Sequence, residues 1–357
     1  MNHPLNAVKR TPKICIWEIT RACNLRCVHC ENVCGPKSAR ELSLTRCVEV
    51  AKDLASLGCE VVEMTGGEPF LSPYWEELCK AVHRMGMKVA VATNGTLLTD
   101  PILDRAEEAG VRVIAISLDG LKDVHDRLRI GKDTDDSPWE RAVSGIIKSK
   151  ERFVTKVITQ VNVLNISQMD GIHGLLQELG VEHWQIQLTI PMGRLLTKKE
   201  PLVLAPAALE GLASFIVSAK TNREEGPFIT VSDTIGYYTD KEMVLRRREA
   251  GPGVWLGCQG GIRVVAITYD GKVRGCSMLP AEFDVGDLHN ESLKEIWNDE
   301  SRFASFICFD KKKLTGNCAR CRVAHICRAG CTTMAYWTTG TIHQNPYCLL
   351  HLEQGLE

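Results

Sequence analysis

Three cysteines near the N-terminus, in Cys23-Asn-Leu-Arg-Cys27-Val-His-Cys30, are separated by three and then two residues. Thiolates this close can ligate three corners of an iron-sulfur cube, whereas a closed cluster would want four. One iron is then left open to a small molecule. Zinc is the alternative for a tight cysteine cluster; it needs a fourth ligand nearby, which His29 or Cys34 could supply, although zinc knuckles usually start from paired C-x2-C units. A second suggestive stretch is Thr65-Gly66-Gly67-Glu68-Pro69, where adjacent glycines let backbone approach a ligand and the Glu68 carboxylate could take a charged amine. Taken alone, it reads as a turn.

Both stretches need elements to position them. Residues 13–20 alternate apolar and polar, which suits a strand delivering the cysteine loop at its C-terminal end. A helix over 44–57, stopped by Gly58, and a strand over 60–64 lead into the Gly-Gly-Glu-Pro loop. The pattern then predicts helix 73–85, strand 87–93, helix 100–109, strand 111–118, a helix around 139–150, strand 156–164, helix 168–179 and strand 184–190. Such alternation gives an α/β fold with a parallel sheet and active loops at the strands' C-terminal ends. Residues 1–12 form a surface arm in this reading. Residues 196–257, interrupted by Pro201, Pro206, Pro227 and Gly251-Pro-Gly253, form a bridge with one helix over 207–219.

A second cysteine set follows: Cys258, Gly271, Cys276, then Cys318-x2-Cys321-x5-Cys327-x3-Cys331, and Cys348. Tyr269-Asp-Gly-Lys272 carries the Asp-Gly turn of a β-hairpin, flanked by Val264-Val265-Ala-Ile267 and Val273. The N-terminal triad followed by the Gly-Gly-Glu-Pro loop resembles the radical S-adenosylmethionine (SAM) superfamily, and the seven cysteines resemble its SPASM extension. The resemblance implies a partial (β/α)6 barrel over 13–195 and a small cysteine-rich SPASM domain over 258–357, with a β-hairpin and short helices. It implies that SAM chelates the open iron of a [4Fe–4S] cluster held by Cys23, Cys27 and Cys30, and is reductively cleaved to a 5′-deoxyadenosyl radical.

The same resemblance assigns Gly66, Gly67 and Glu68 to the SAM amino group, Ser117 to its ribose or carboxylate, and Arg129 to its carboxylate. Asn94 and Asp119 are SAM contacts or only close turns; Asn162, Gln185 and Gln187 end strands where the family contacts adenine and ribose. Cys258, Cys276 and Cys331 match the ligands of a first auxiliary cluster, with an iron left open because no eighth cysteine precedes Cys258. Cys318, Cys321, Cys327 and Cys348 match those of a second. The cofactors implied are SAM and three iron-sulfur clusters, [4Fe–4S] by resemblance.

Relatives of this architecture oxidise or crosslink peptide side chains, which makes a peptide or protein the expected substrate, with a separate leader-peptide carrier and an electron donor such as flavodoxin or ferredoxin. Haem-pathway relatives make a tetrapyrrole side chain the alternative. Ser277, where the sulfatase-maturing group carries an acid, weakens that subgroup. Candidates for a general base are Tyr269, Glu282, Asp284 and His125. An electron-transfer or scaffold protein is the competing class, but it has no use for an open-iron triad or the glycine loop.

Composition agrees with an enzyme of this kind. Across 357 residues the chain is 44% hydrophobic and 24% charged with a net charge of −1, which excludes a basic field for nucleic acid or an anionic membrane. No apolar run reaches the ~18 residues of a membrane span and no signal peptide opens the chain, so a cytoplasmic protein is expected. Sixteen cysteines in a reducing compartment argue for metal rather than disulfides. Of these, Cys15, Cys34, Cys47, Cys59, Cys79 and Cys308 fall outside the cluster sets and read as core thiols, Cys34 being the one close to Cys30.

Overall fold

The structure, a computed structural model, describes residues 9–131, 137–197, 202–222, 226–249, 251 and 253–355. Residues 1–8 of the expected arm, and Pro201 and Pro252 of the bridge, lie outside them. Six strand-helix units run from β1 (Ile14–Thr20) through β2 (Val61–Gly66), β3 (Lys88–Thr93), β4 (Val111–Ser117), β5 (Val154–Val161) and β6 (His183–Leu188). The helices between them are α1 (Leu44–Ser56), α2 (Trp75–Arg84), α3 (Asp100–Glu108), α4 (Lys122–Leu128) and α5 (Pro138–Ser149), both between β4 and β5, and α6 (Met169–Glu178). All neighbouring pairs from β1 to β6 are parallel. This is the open parallel sheet expected from the sequence.

The core lies between this sheet and its helices. Val62, Met64, Val89, Val91, Ile114, Ile116, Val157 and Trp184 bury their side chains there, each worth roughly 1.5–3 kcal/mol. Helix α1 starts where the Ser43 hydroxyl caps the Arg46 N–H and turns Cys47, Val50, Ala51 and Leu54 inward. Helix α5 starts the same way, from Ser137 to the Glu140 N–H, with Pro138 in its first turn.

The sheet extends further than its six units. A seventh strand, β7 (Phe228–Val231), pairs in parallel with β6 inside the stretch read as a bridge, after α7 (Ala208–Thr221). On the opposite edge, β8 (Val264–Ile267) pairs in parallel with β1, from Ile14↔Val264 to Trp17↔Ile267. It turns through the expected hairpin into β9 (Lys272–Arg274), and β10 (Gly286–Asp287) follows antiparallel. The cysteine-rich tail is therefore seated on the sheet through β1, the strand that carries the first cysteine loop. The N-terminal arm also docks there: the Arg10 guanidinium lies 4.6 Å over the Trp297 ring and 4.7 Å over Phe303. Among the described residues no helix is long and apolar enough to cross a membrane.

Candidate active site

The cysteine loop leaves the C-terminal end of β1 and is tied down from several elements. Asn24 donates to Thr96 Oγ1 at 2.7 Å and accepts from Asn94 Nδ2 at 2.9 Å, joining the loop to the end of β3. The Arg26 and Val28 N–H groups donate to the Ile130 and Leu128 carbonyls, and Arg194 donates to the Cys27 carbonyl at 2.9 Å. Held this way, Cys23, Cys27 and Cys30 line one cleft of about 170 Å³ together with Gly66, Gly67, Asn94, Ser117 and Arg129. The cleft sits at the C-terminal ends of β1 to β4, where a parallel sheet places its ligands.

The two glycines serve a contact that the sequence did not suggest. A Cβ at Gly67 would lie 2.1 Å from the Ala22 carbonyl oxygen, and one at Gly66, whose φ is +134°, 2.3 Å from that of Thr20. Their missing side chains let the Gly-Gly-Glu-Pro loop run against the backbone that launches the cysteine loop, where the Gly67 and Glu68 N–H groups donate to the Thr20 and Ala22 carbonyls. The glycine loop thereby fixes the cysteine loop as well as lining the cleft.

Glu68 is placed differently from the expectation. Its carboxylate is fully buried and lies outside the cleft lining; it accepts from Thr93 Oγ1 at 2.8 Å, the Asn94 N–H at 2.9 Å and the Phe70 N–H at 3.4 Å. Burial pushes its pKa up to about 7 against those donors. Through these bonds the carboxylate clamps β3 to the glycine loop.

Asp119 also stands behind the cleft. It is fully buried, accepting from Arg129 Nε at 2.6 Å, His29 Nε2 at 2.9 Å and the Gln160 N–H at 2.8 Å. Burial opposes its ionisation, but Arg129 and then His29 hold its carboxyl well below the usual range. Arg129, anchored in this way, reaches the cleft, with Nη1 3.9 Å from Cys27 Sγ. His125 is a poor base: its ring is buried, its Nδ1 accepts the Asp119 N–H at 3.1 Å, and burial followed by the Arg129 charge lowers its pKa to about 3. Asn162 spends its side chain on the Leu164 N–H and the Gln160 carbonyl, and Gln185 and Gln187 bond to each other away from the cleft lining. The strand-five residue that does line it is Gln160.

A second cavity, of about 340 Å³, adjoins the first and shares Glu31 and Asn32 with it. It opens between the cysteine loop and the hairpin, and its lining includes Glu18, Tyr269, Asp270, Arg274, Ser277 and Trp337. Of the base candidates only Tyr269 lies here. Asp284 is bound to Arg274, and Glu282 is exposed and pairs with Tyr336. Sequence reasoning missed Glu18 and Glu31, both carboxylates in the barrel mouth. Glu18 is 3% exposed with its pKa raised by burial to about 7, and burial and then the Cys30 charge raise Glu31 to about 8.

The cysteines of the tail form two groups. Cys318, Cys321, Cys327 and Cys348 line a single, largely apolar cavity with Tyr237, Tyr238, Asn345 and His351. Cys258 and Cys276 lie within electrostatic reach of Cys331, at the other end of the helical turn 324–327. Backbone N–H groups lie near several of the sulfurs and favour their thiolate forms: Asn345 near Cys318, Leu350 near Cys348, Gly260 near Cys258, Met278 near Cys276, and Met334 near Cys331. In the first loop the bonds form outright: the Leu25 N–H reaches Cys23 Sγ at 3.5 Å and the Cys34 N–H reaches Cys30 Sγ at 3.4 Å, which favours the thiolate. A hydrogen bond from the Cys34 thiol brings Cys30 down to about 5. These donor sets fit iron-sulfur clusters. Of the remaining cysteines, Cys15, Cys47, Cys59 and Cys79 are buried in the core and Cys308 is exposed.

An open parallel sheet with a three-cysteine cleft at its C-terminal mouth, and a second cysteine-rich module seated on its first strand, defines an iron-sulfur protein of a recognisable class. Residues 17–176 match the radical SAM superfamily and residues 258–322 match the SPASM iron-sulfur cluster-binding domain. The chain is a radical SAM protein with a C-terminal SPASM domain, and these domains imply SAM and iron-sulfur clusters as its cofactors. It is 28% identical to the AdoMet-dependent heme synthase of Methanosarcina barkeri, over 96% of this chain and 98% of that protein. It is 27% identical to the mycofactocin maturase MftC of Mycolicibacterium smegmatis, over 91% and 79% respectively. Among solved structures, Streptococcus suis SuiB bound to S-adenosylmethionine shares the fold with a TM-score of 0.73 at 15% identity, covering 95% of this chain and 77% of that one.

Proposed function

We propose that this radical SAM enzyme oxidatively modifies a side chain of a peptide or protein bound in the second cavity. Cys23, Cys27 and Cys30 hold the cluster that binds SAM; Cys258, Cys276 and Cys331 hold one auxiliary cluster, and Cys318, Cys321, Cys327 and Cys348 the other. When bound, the cluster and SAM supply a 5′-deoxyadenosyl radical that removes hydrogen from an unactivated C–H bond. Arg129, oriented by Asp119, pairs with the SAM carboxylate. Gly66 and Gly67 present backbone to its amino group, and Ser117 and Gln160 line the space beside it.

The observation that carries the substrate reading is the carboxyl-rich lining of the second cavity. Glu18, Glu31 and Asp270 line it, and Arg274, its one cation among the described lining residues, is already taken by Asp284. Amide and cationic groups of a peptide suit such carboxyl groups, whereas propionate groups would find no unpaired cation among the described lining residues. Peptide-maturing relatives such as MftC support the same reading. The end-to-end match to a heme synthase favours a second one, a tetrapyrrole side chain.

Anaerobic turnover of the reconstituted, reduced enzyme separates the two. The small peptide encoded beside its gene and a propionate-bearing tetrapyrrole are supplied in parallel and read by mass. Loss of two hydrogens from the peptide is the expected result. An unmodified peptide alongside a decarboxylated tetrapyrrole overturns the proposal.

A further inference from the structure

The cavity lined by Cys318, Cys321, Cys327 and Cys348 contains two buried polar atoms with no partner among the described residues, Asn345 Nδ2 and His351 Nε2. Asn345 is 2% exposed and His351 6% exposed, so water does not satisfy them. We infer that Asn345 and His351 donate hydrogen bonds to the sulfur atoms of the iron-sulfur cluster held by these four cysteines, and so raise its reduction potential. The inference rests on the proposal that these cysteines hold a cluster.

The local structure aims both side chains. Asn345 Oδ1 accepts the Tyr347 N–H at 2.9 Å, which leaves its NH2 group as the free end of the amide. The same amide nitrogen lies 2.7 Å from where a Cβ on Gly330 would stand, so the glycine keeps this nitrogen unobstructed next to Cys327. His351 sits one turn beyond Cys348 and gives its own backbone N–H to the Cys348 carbonyl at 3.1 Å. Each residue thus holds an unpartnered side-chain donor at the cavity that the four cysteines line. Of the rest of the lining, Tyr237 and Tyr238 turn their hydroxyls to the Asp233 and Trp255 carbonyls, and Val323, Ala324, Ala329 and Leu350 have no acceptor side chain. Cluster sulfur is the acceptor that fits: it is electron-rich, and hydrogen bonds to it stabilise the reduced, more negative state.

The test uses full-length protein with its clusters reconstituted anaerobically, in the Cys23, Cys27, Cys30 triple-alanine background so that only the tail's signals remain. A Cys276→Ala variant identifies which signal belongs to which auxiliary site. Asn345→Leu and His351→Phe should retain the iron of this site, and in an EPR-monitored redox titration each should shift its reduction equilibrium about tenfold toward the oxidised form, ~59 mV more negative for a one-electron couple. His351→Gln, which keeps an N–H, should recover at least half of that shift. An unchanged potential with full iron overturns the inference, as does loss of iron from this site in both variants. Absence of iron there in the parent protein overturns the cluster assignment as well.

Discussion

Arg129 enters the first cavity with Nε held by Asp119 at 2.6 Å, so its remaining donors are preset for an anion. Arg129→Ala should weaken SAM binding by about tenfold or more with iron content unchanged, because removing one partner of a desolvated charged contact costs roughly 2–5 kcal/mol. Equilibrium binding to reconstituted protein checks this, and intact affinity would remove Arg129 from that role. Glu68, by contrast, is committed to three protein donors; Glu68→Gln should lower thermal stability by roughly 1–3 kcal/mol and leave SAM affinity within about threefold. His125 gives a pH signature. Its folded pKa of about 3 lies below the unfolded value of about 6.5, so the unfolded chain binds more protons in that window. Stability should therefore fall as pH drops from about 6.5 toward 3, and denaturant midpoints for His125→Asn, which keeps an acceptor near Nδ1, should fall less steeply. The cysteines and the paired glycines were legible in the sequence because ligand chemistry and backbone contact fix their spacing. Glu18, Glu31 and Gln160 were not, since they meet only where β1, the cysteine loop and β5 converge, and no local pattern marks that convergence.

The strands of the sheet were legible because apolar residues leave a strong signal, buried on both faces in most of β3 and alternating buried with half-buried in β5. β7 is only four residues long and follows Pro227, too short for periodicity to register, and α4 carries few apolar residues in Lys122–Leu128. The pairing of β8 with β1 spans some 250 residues of sequence, a non-local contact no window can see. It has a consequence for the modules. Without the tail, β1 becomes an edge whose Ile14, Ile16 and Trp17 lose their neighbours Val264, Ala266 and Ile267. A chain ending at residue 257 should therefore aggregate or lose near-UV circular dichroism; a monomeric, cooperatively folding truncation would show that the sheet's first edge is not stabilised by the hairpin.

At the scale of the whole molecule, one ten-stranded sheet carries both the open-mouthed cysteine cleft and, through β8, the cysteine-rich tail, with the second cavity lying in the seam between them. In the proposed reading, a substrate in that seam lies beside the SAM cleft, with which the cavity shares Glu31 and Asn32. Three four-iron clusters would bring about twelve irons per chain after anaerobic reconstitution, and replacing Cys23, Cys27 and Cys30 by alanine should remove about four. The most direct measurement is the production of 5′-deoxyadenosine from SAM by the reduced, iron-loaded protein, run beside that triple variant. The wild-type chain should form it and the variant, still holding its auxiliary iron, should form none. Equal yields from both, or no 5′-deoxyadenosine from a fully loaded wild-type chain, would contradict the assignment of the cleft.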